Sequence, residues 1–208
     1  MINIFQLPAN LADELLDFWA RQDCYSLDEL DNLKVELKLH VGVYALFYRG
    51  VNPLYVCLSK ANSHRCCLPI YVGKAVVGGR RIGITSKTQN LYSRLREHRR
   101  SIGVVDGLEI AEFQFKVVAM EVDLVSWGEG VMIRHFQPVW NQVIDGFGNH
   151  DPGKGRYQQK RSLWDLLHPG REWVARLTNY DPLDRDAIAG RVEKLCQDMS
   201  QKMGCFEK

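Results

Sequence analysis

Val41-Gly42-Val43-Tyr44-Ala45-Leu46-Phe47-Tyr48 is an unbroken apolar and aromatic run that stops at Arg49-Gly50. A run that short, rich in β-branched and aromatic residues and closed by a turn signal, predicts a strand. Pro69-Ile70-Tyr71-Val72-Gly73 predicts a second strand, with proline first, where its missing N–H is tolerated. Residues 49–68 between them read as a long connection. Residues 112–122 predict a third strand, because Phe113, Phe115, Val117 and Ala119 alternate with polar or smaller neighbours.

Helices surround these strands. Leu91, Leu95 and Ile102 form one apolar stripe and predict a helix over residues 89–102. Another begins at Asp123 or Ser126 and ends near Gln137, because Pro138 disfavours a helical residue before it. Pro8, Leu11, Leu15, Phe18 and Trp19 predict a helix over 8–23, and Ser26 caps a second over 27–39. Downstream, the glycine- and base-rich stretch 146–162 predicts a loop. Short helices over 164–167 and 172–177 are parted by Pro169-Gly170, and a last helix starts at Asp181-Pro182. The pattern is α+β: a small three-stranded sheet flanked by helices. It divides into an acidic helical extension (1–40), a core (41–144) and a basic loop with C-terminal helices (145–208), all in one compact domain.

With 208 residues, 46% of them apolar, the chain can bury a substantial core. No apolar run is long enough to span a membrane, and residues 1–5 lack the basic and apolar regions of an export signal, so the expected location is the cytoplasm. The six cysteines form no C-x-x-C pair, which predicts reduced thiols. The net charge of +2 hides an asymmetry. Residues 1–40 hold eight acids against three bases, whereas 74–100 hold eight bases against the single acid Glu97. That basic stretch (Lys74, Arg80, Arg81, Lys87, Arg94, Arg96, Arg99, Arg100) suits a polyanion, although a solvated charged helix would also account for it.

Helical projection refines this picture. When Leu91, Leu95 and Ile102 face the core, His98 falls on the same face, Arg94 at its border, and Arg96 and Arg100 opposite. An inward Arg–His pair is either a reactive site or a core-edge histidine beside a snorkelling arginine. Glu129 projects from the apolar face set by Val125, Met132, Ile133 and Phe136. Such a carboxylate either binds a metal or closes a buried salt bridge, with Arg94 as a candidate partner. Gly148 to Lys154 approaches a nucleotide-binding loop, but Gly155 follows where Ser or Thr is needed, so ATP binding is rejected. His150 and His168 lack metal-ligand spacing and read as structural.

Taken together, Gly42-Val43-Tyr44 and Ile70-Tyr71-Val72-Gly73-Lys74 resemble the paired signature of the GIY-YIG nucleases. Arg94-Leu95-Arg96-Glu97-His98 resembles that family's arginine helix, Glu129 its metal-binding glutamate, and Pro138-Val139-Trp140-Asn141 its terminal asparagine motif. The insertion at 49–68, the histidine at 98 and Gly146-Phe147-Gly148-Asn149-His150 resemble the restriction-endonuclease branch, one subgroup of which cuts CCGCGG.

The resemblance implies a site-specific double-stranded DNA endonuclease of the restriction type, using one Mg²⁺ or a similar divalent ion such as Mn²⁺. It assigns Tyr44 as general base, Tyr71 as an orienting hydroxyl, Arg94 as phosphate clamp and His98 as partner of the tyrosine. Glu129 becomes the metal ligand, and Asn141 orders the site or holds phosphate. A palindromic target implies a homodimer on DNA. Lys74, Arg80, Arg81, Arg96, Arg100, Lys154, Arg156 and Arg161 are the expected DNA contacts. The alternatives are a repair or homing nuclease of the same family, and a non-catalytic nucleic-acid-binding module.

Overall fold

The computed structural model describes residue 8, residues 10–76 and residues 89–205. In chain order come α1 (Leu11–Ala20), β1 (Tyr25–Ser26), a 3-10 turn (Leu30–Leu33) running into α2 (Lys34–Lys38), and β2 (Gly42–Tyr48). A second 3-10 turn (Pro53–Tyr55) leads into α3 (Val56–Ala61), followed by β3 (Tyr71–Ala75), α4 (Leu91–Gly103), β4 (Phe113–Ala119) and α5 (Val125–Phe136). Then come α6 (Val139–Gln142), α7 (Leu163–Leu167), a 3-10 segment (Glu172–Arg176) and α8 (Arg185–Lys202).

The strands form one antiparallel sheet in the order β1-β4-β2-β3. Four strands are present where three are expected: Tyr25 and Ser26 pair with Phe115 and Gln114 at one side. Two residues carry no readable periodicity, so this strand exists only through its partner. The connection 49–68 holds a helix, also unexpected, and the segment near 172–177 is 3-10 rather than α.

Period-two alternation gives β2 two different faces, both buried. Tyr44, Leu46 and Tyr48 join a cluster with Leu91, Leu95 and Ile102 of α4, Trp140 of α6 and Trp164 of α7. Val43, Ala45 and Phe47 join another with Leu15 and Trp19 of α1 and Val125, Met132 and Phe136 of α5. The sheet is therefore sandwiched between helices. The helix ends follow local chemistry. Asn90 Oδ1 accepts from Ser93 N at 2.9 Å to start α4, and Gln137, left-handed at φ 46°, ends α5 just before Pro138. Asn62, fully buried, closes the 49–68 connection: its Oδ1 accepts from the N–H of Cys67 and Leu68, and its Nδ2 donates to the carbonyls of Tyr48 and Leu68.

The cysteines correct a sequence expectation. They are paired as disulfides, Cys24–Cys66, Cys57–Cys196 and Cys67–Cys205, rather than left as reduced thiols. Separations of 42, 139 and 138 residues leave no local trace in the sequence. Two of the bridges tie α8 and the residues after it to the 49–68 connection.

Cross-links over loops this long typically contribute about 2–4 kcal/mol each. Reduction is therefore expected to lower the melting temperature by roughly 5–15 °C per bridge lost. Thermal melts with and without reductant, beside thiol titration of the unreduced denatured chain, check this. Reactive thiols and an unchanged melt would contradict the pairings.

Candidate active site

Tyr44 lies mid-strand in β2, opposite Gly73 on one side and Val117 on the other. Its ring is fully buried, so its hydroxyl needs an internal partner. His98, one face-turn along α4 from Arg94, supplies it: Tyr44 Oη and His98 Nε2 are 2.6 Å apart. Tyr71 completes the aromatic group, its ring 6.4 Å from that of Tyr44 and 5.2 Å from that of His98. Gly73 makes room, because a Cβ there would lie 2.6 Å from the Tyr44 hydroxyl.

Burial pushes the Tyr44 hydroxyl well above its usual range; the neighbouring Tyr71 adds to this and the Arg94 guanidinium opposes it. Burial likewise pushes Tyr71 up to about 12. His98 is held well below the ordinary histidine range by burial, then by Arg94 and His150. Tyr44 is thus a neutral phenol and His98 a neutral imidazole. With its proton on Nδ1, His98 accepts the Tyr44 O–H at Nε2 and leaves the tyrosine lone pairs free.

Arg94 is buried at the edge of this group, and its Nη1 donates to Glu97 Oε2 at 2.6 Å and to His150 Nε2 at 2.7 Å. His150, read as structural from the sequence, therefore belongs to the site. The segment 146–150 delivers it. Phe147 stacks on His98 with ring centroids 4.5 Å apart, and Gly148 passes so close to Tyr71 that a Cβ would lie 2.7 Å from its hydroxyl. Arg171 shapes that segment. Buried and ion-paired with Asp165, it donates to the carbonyls of Gly146, Phe147 and Asn149 and lies over the Trp164 ring, 4.6 Å from its centroid. Neither Arg171 nor Asp165 is expected from sequence; a lone Arg after Pro-Gly carries no signal of burial. His168 stays structural, bonded to Tyr55 Oη at 2.6 Å.

Glu129 pairs with Lys74 Nζ at 2.7 Å, not with Arg94. Lys74, expected to contact DNA, is occupied by this carboxylate. The Glu129 charge raises the pKa of both Tyr44 and Tyr71, so it is within electrostatic reach of the two hydroxyls. Among the described residues no group of three or more His, Cys, Asp or Glu converges as a metal cage. A hard divalent ion nevertheless fits, because it needs only one or two protein oxygens beside water and phosphate, and Glu129 already holds one cationic group. Asn141, in α6, spends its amide on β3: Oδ1 accepts from Val72 N at 2.8 Å and Nδ2 donates to Val72 O at 2.9 Å. These bonds fix the strand between Tyr71 and Gly73, so Asn141 orders the site.

Of the remaining expected DNA contacts, Arg96, Arg100, Lys154 and Arg156 are exposed. Arg161 instead donates through Nε to Leu177 O at 2.6 Å and lies over the Tyr180 ring. Arg80 and Arg81 lie outside the described residues.

Two outcomes follow from this wiring. Arg171→Met strands Asp165 as a buried charge, which should cost about 3–5 kcal/mol and raise hydrogen exchange in residues 146–150; unfolding curves and exchange rates measure both. His98, His150 and His168 are all held neutral by burial. The unfolded chain then binds more protons below about pH 6.5, so stability falls as pH drops. His168, titrating near 4, accounts for about 3 kcal/mol of this between pH 6.5 and pH 4. Urea midpoints over that range, with His168→Gln alongside, test the slope; a flat wild-type profile would contradict it.

No curated protein matches the chain. The family model described as the Eco29kI GIY-YIG domain matches residues 37–198, from α2 through most of α8, and so includes the tyrosine strands, the arginine helix, Glu129, Asn141 and the Arg171 clamp. The chain therefore belongs to the Eco29kI family of GIY-YIG restriction endonucleases.

Proposed function

We propose that this nuclease is a type II restriction enzyme that cuts double-stranded DNA at a specific palindrome, with one divalent ion, Mg²⁺ or Mn²⁺, held by Glu129. The observation that carries this reading is the 2.6 Å Tyr44–His98 hydrogen bond, buried beside Arg94 and Tyr71. The reaction is hydrolysis of a phosphodiester: water attacks phosphorus and the bond to the leaving 3′ oxygen breaks.

A phenol whose pKa is raised by burial is a poor base unless its own proton can leave at the same time. The geometry supplies that exit. Tyr44 oxygen takes a proton from the attacking water while the Tyr44 proton passes to His98 Nε2. Arg94, with Nη1 fixed by Glu97 and His150, offers its other donors to the phosphate charge that builds up as water adds. Tyr71 orients water and phosphate with its hydroxyl. Asn141 acts one step back by holding β3. The ion, when bound, supplies Lewis-acid stabilisation of the phosphate and the leaving oxygen. Lys74 pairs with Glu129 and so competes with that ion for the carboxylate.

The target proposed from the branch resemblance is CCGCGG, read by a homodimer. Arg96, Arg100, Lys154 and Arg156 are the proposed DNA contacts, together with Arg80 and Arg81. Residues 1–40, which mostly precede the matched region, are the proposed dimer arm.

Incubation of the purified protein with unmethylated DNA, in Mg²⁺ and in EDTA, is expected to give discrete fragments only with the metal. Glu129→Ala should abolish cutting while DNA binding persists. Tyr44→Phe should slow it by about 100- to 10,000-fold. Fragment ends give the target, and sedimentation on DNA gives the stoichiometry. Full activity of Glu129→Ala overturns the metal assignment, and a smear overturns site specificity.

A further inference from the structure

Lys116 is the one buried lysine among the described residues, 8% exposed. It lies in β4 next to Val117, which faces Tyr44 across the sheet. Adjacent strand residues point to opposite faces, so Lys116 points away from the active site, toward α1 and α5. Among the described residues its ammonium has no hydrogen bond and no ion pair; the group it meets is the Trp19 ring, 6.0 Å from the centroid. The Asp23 carboxylate acts on Lys116 from a distance, but a buried cation with no anion in contact is still costly, and this one carries no catalytic duty to explain it.

The side chain opens into a cleft of about 560 Å³ whose wall also carries Arg49, Arg65 and Phe136. Arg49 adds a second, independent sign: its Nε is buried and has no hydrogen-bond partner. Asp23 is the acid on this wall, set against Lys116, Arg49 and Arg65, and His64 and His135 stand nearby. Burial lowers the pKa of both Lys116 and Arg49, and at Lys116 the Asp23 carboxylate opposes this without reversing it. Arg65 is exposed and donates to Gly204 O at 3.1 Å, so it can stay in place while its remaining donors face the cleft.

We propose that this cleft binds a compact phosphate-class anion, with Lys116, Arg49 and Arg65 as its ligands. It is a second site, on the sheet face opposite the nuclease centre. An ammonium and two guanidinium groups around one pocket suit a tetrahedral oxyanion, which accepts from several directions at once. Free phosphate and the phosphate of a mononucleotide share that chemistry. The site does not depend on the nuclease reading.

The test is calorimetric titration of inorganic phosphate and, separately, of thymidine 5′-monophosphate into the full chain in EDTA. Wild type, Arg94→Ala, Lys116→Met and Arg65→Gln are compared. Saturable binding is expected in wild type and Arg94→Ala, weakened about tenfold or more in Lys116→Met and several-fold in Arg65→Gln. Lys116→Met keeps the side-chain volume while removing an unpaired charge, and Arg65 is exposed, so both variants should stay folded. Equal affinity for the two probes identifies free phosphate as the occupant; tighter nucleotide binding identifies the nucleotide. Absence of saturable binding for both probes overturns the site. So does binding that survives Lys116→Met and is lost in Arg94→Ala, because that anion is in the nuclease centre. The titration reads no cleavage, so its failure leaves the nuclease proposal standing.

Discussion

Burial of β2 on both faces is the constraint on which the rest depends. Every residue from Gly42 to Tyr48 is buried, so each polar atom in that strand must find its partner inside the protein. Tyr48 finds Glu112, and Tyr44 finds His98. The candidate site thus begins as a problem of core satisfaction: a phenol that cannot reach water is handed an imidazole that cannot easily be charged. The same burial raises one pKa and lowers the other, so both groups stay neutral in the resting protein.

The C-terminal third of the chain matters more to this centre than its loop-like sequence implies. Arg171 gathers the carbonyls of Gly146, Phe147 and Asn149, and the gathered segment then touches His98, Tyr71 and Arg94 in turn. An ion pair between two nearly inaccessible side chains, Asp165 and Arg171, is a poor way to gain stability compared with apolar packing. Its value here is geometric, because a glycine-rich segment has no intrinsic preference for the one shape that reaches all three residues. Trp164 backs the arrangement, lying against both Phe147 and the Arg171 guanidinium.

Local periodicity carried most of the fold. The strands at 42–48, 71–75 and 113–119 and the helices at 91–103 and 125–136 are legible because each presents a clean apolar face. Helical projection also placed His98 and Arg94 inside and Arg96 and Arg100 outside, as the structure has them. What was illegible depends on distant partners. β1 is two residues long and exists by pairing with β4. The disulfides join residues brought together only by the finished fold. The salt-bridge alternative for Glu129 named Arg94, and the partner is Lys74; the two are equally plausible in charge, and only the three-dimensional path of β3 decides between them. His150 looked inert because metal-ligand spacing was the property sought, whereas its role is to accept a hydrogen bond from an arginine.

Asn141 has a consequence beyond catalysis. β3 is the last strand of the sheet, and such a strand normally exposes a row of unused N–H and C=O groups that invite another chain to add on. The Asn141 amide occupies both groups of Val72, and Trp140 N takes the carbonyl of Ile70 just before the strand begins. A short helix thereby imitates the hydrogen bonding of a neighbouring strand without being one. The arrangement that steadies β3 between Tyr71 and Gly73 thus also blunts the sheet edge as a template for aggregation, two effects of one side chain.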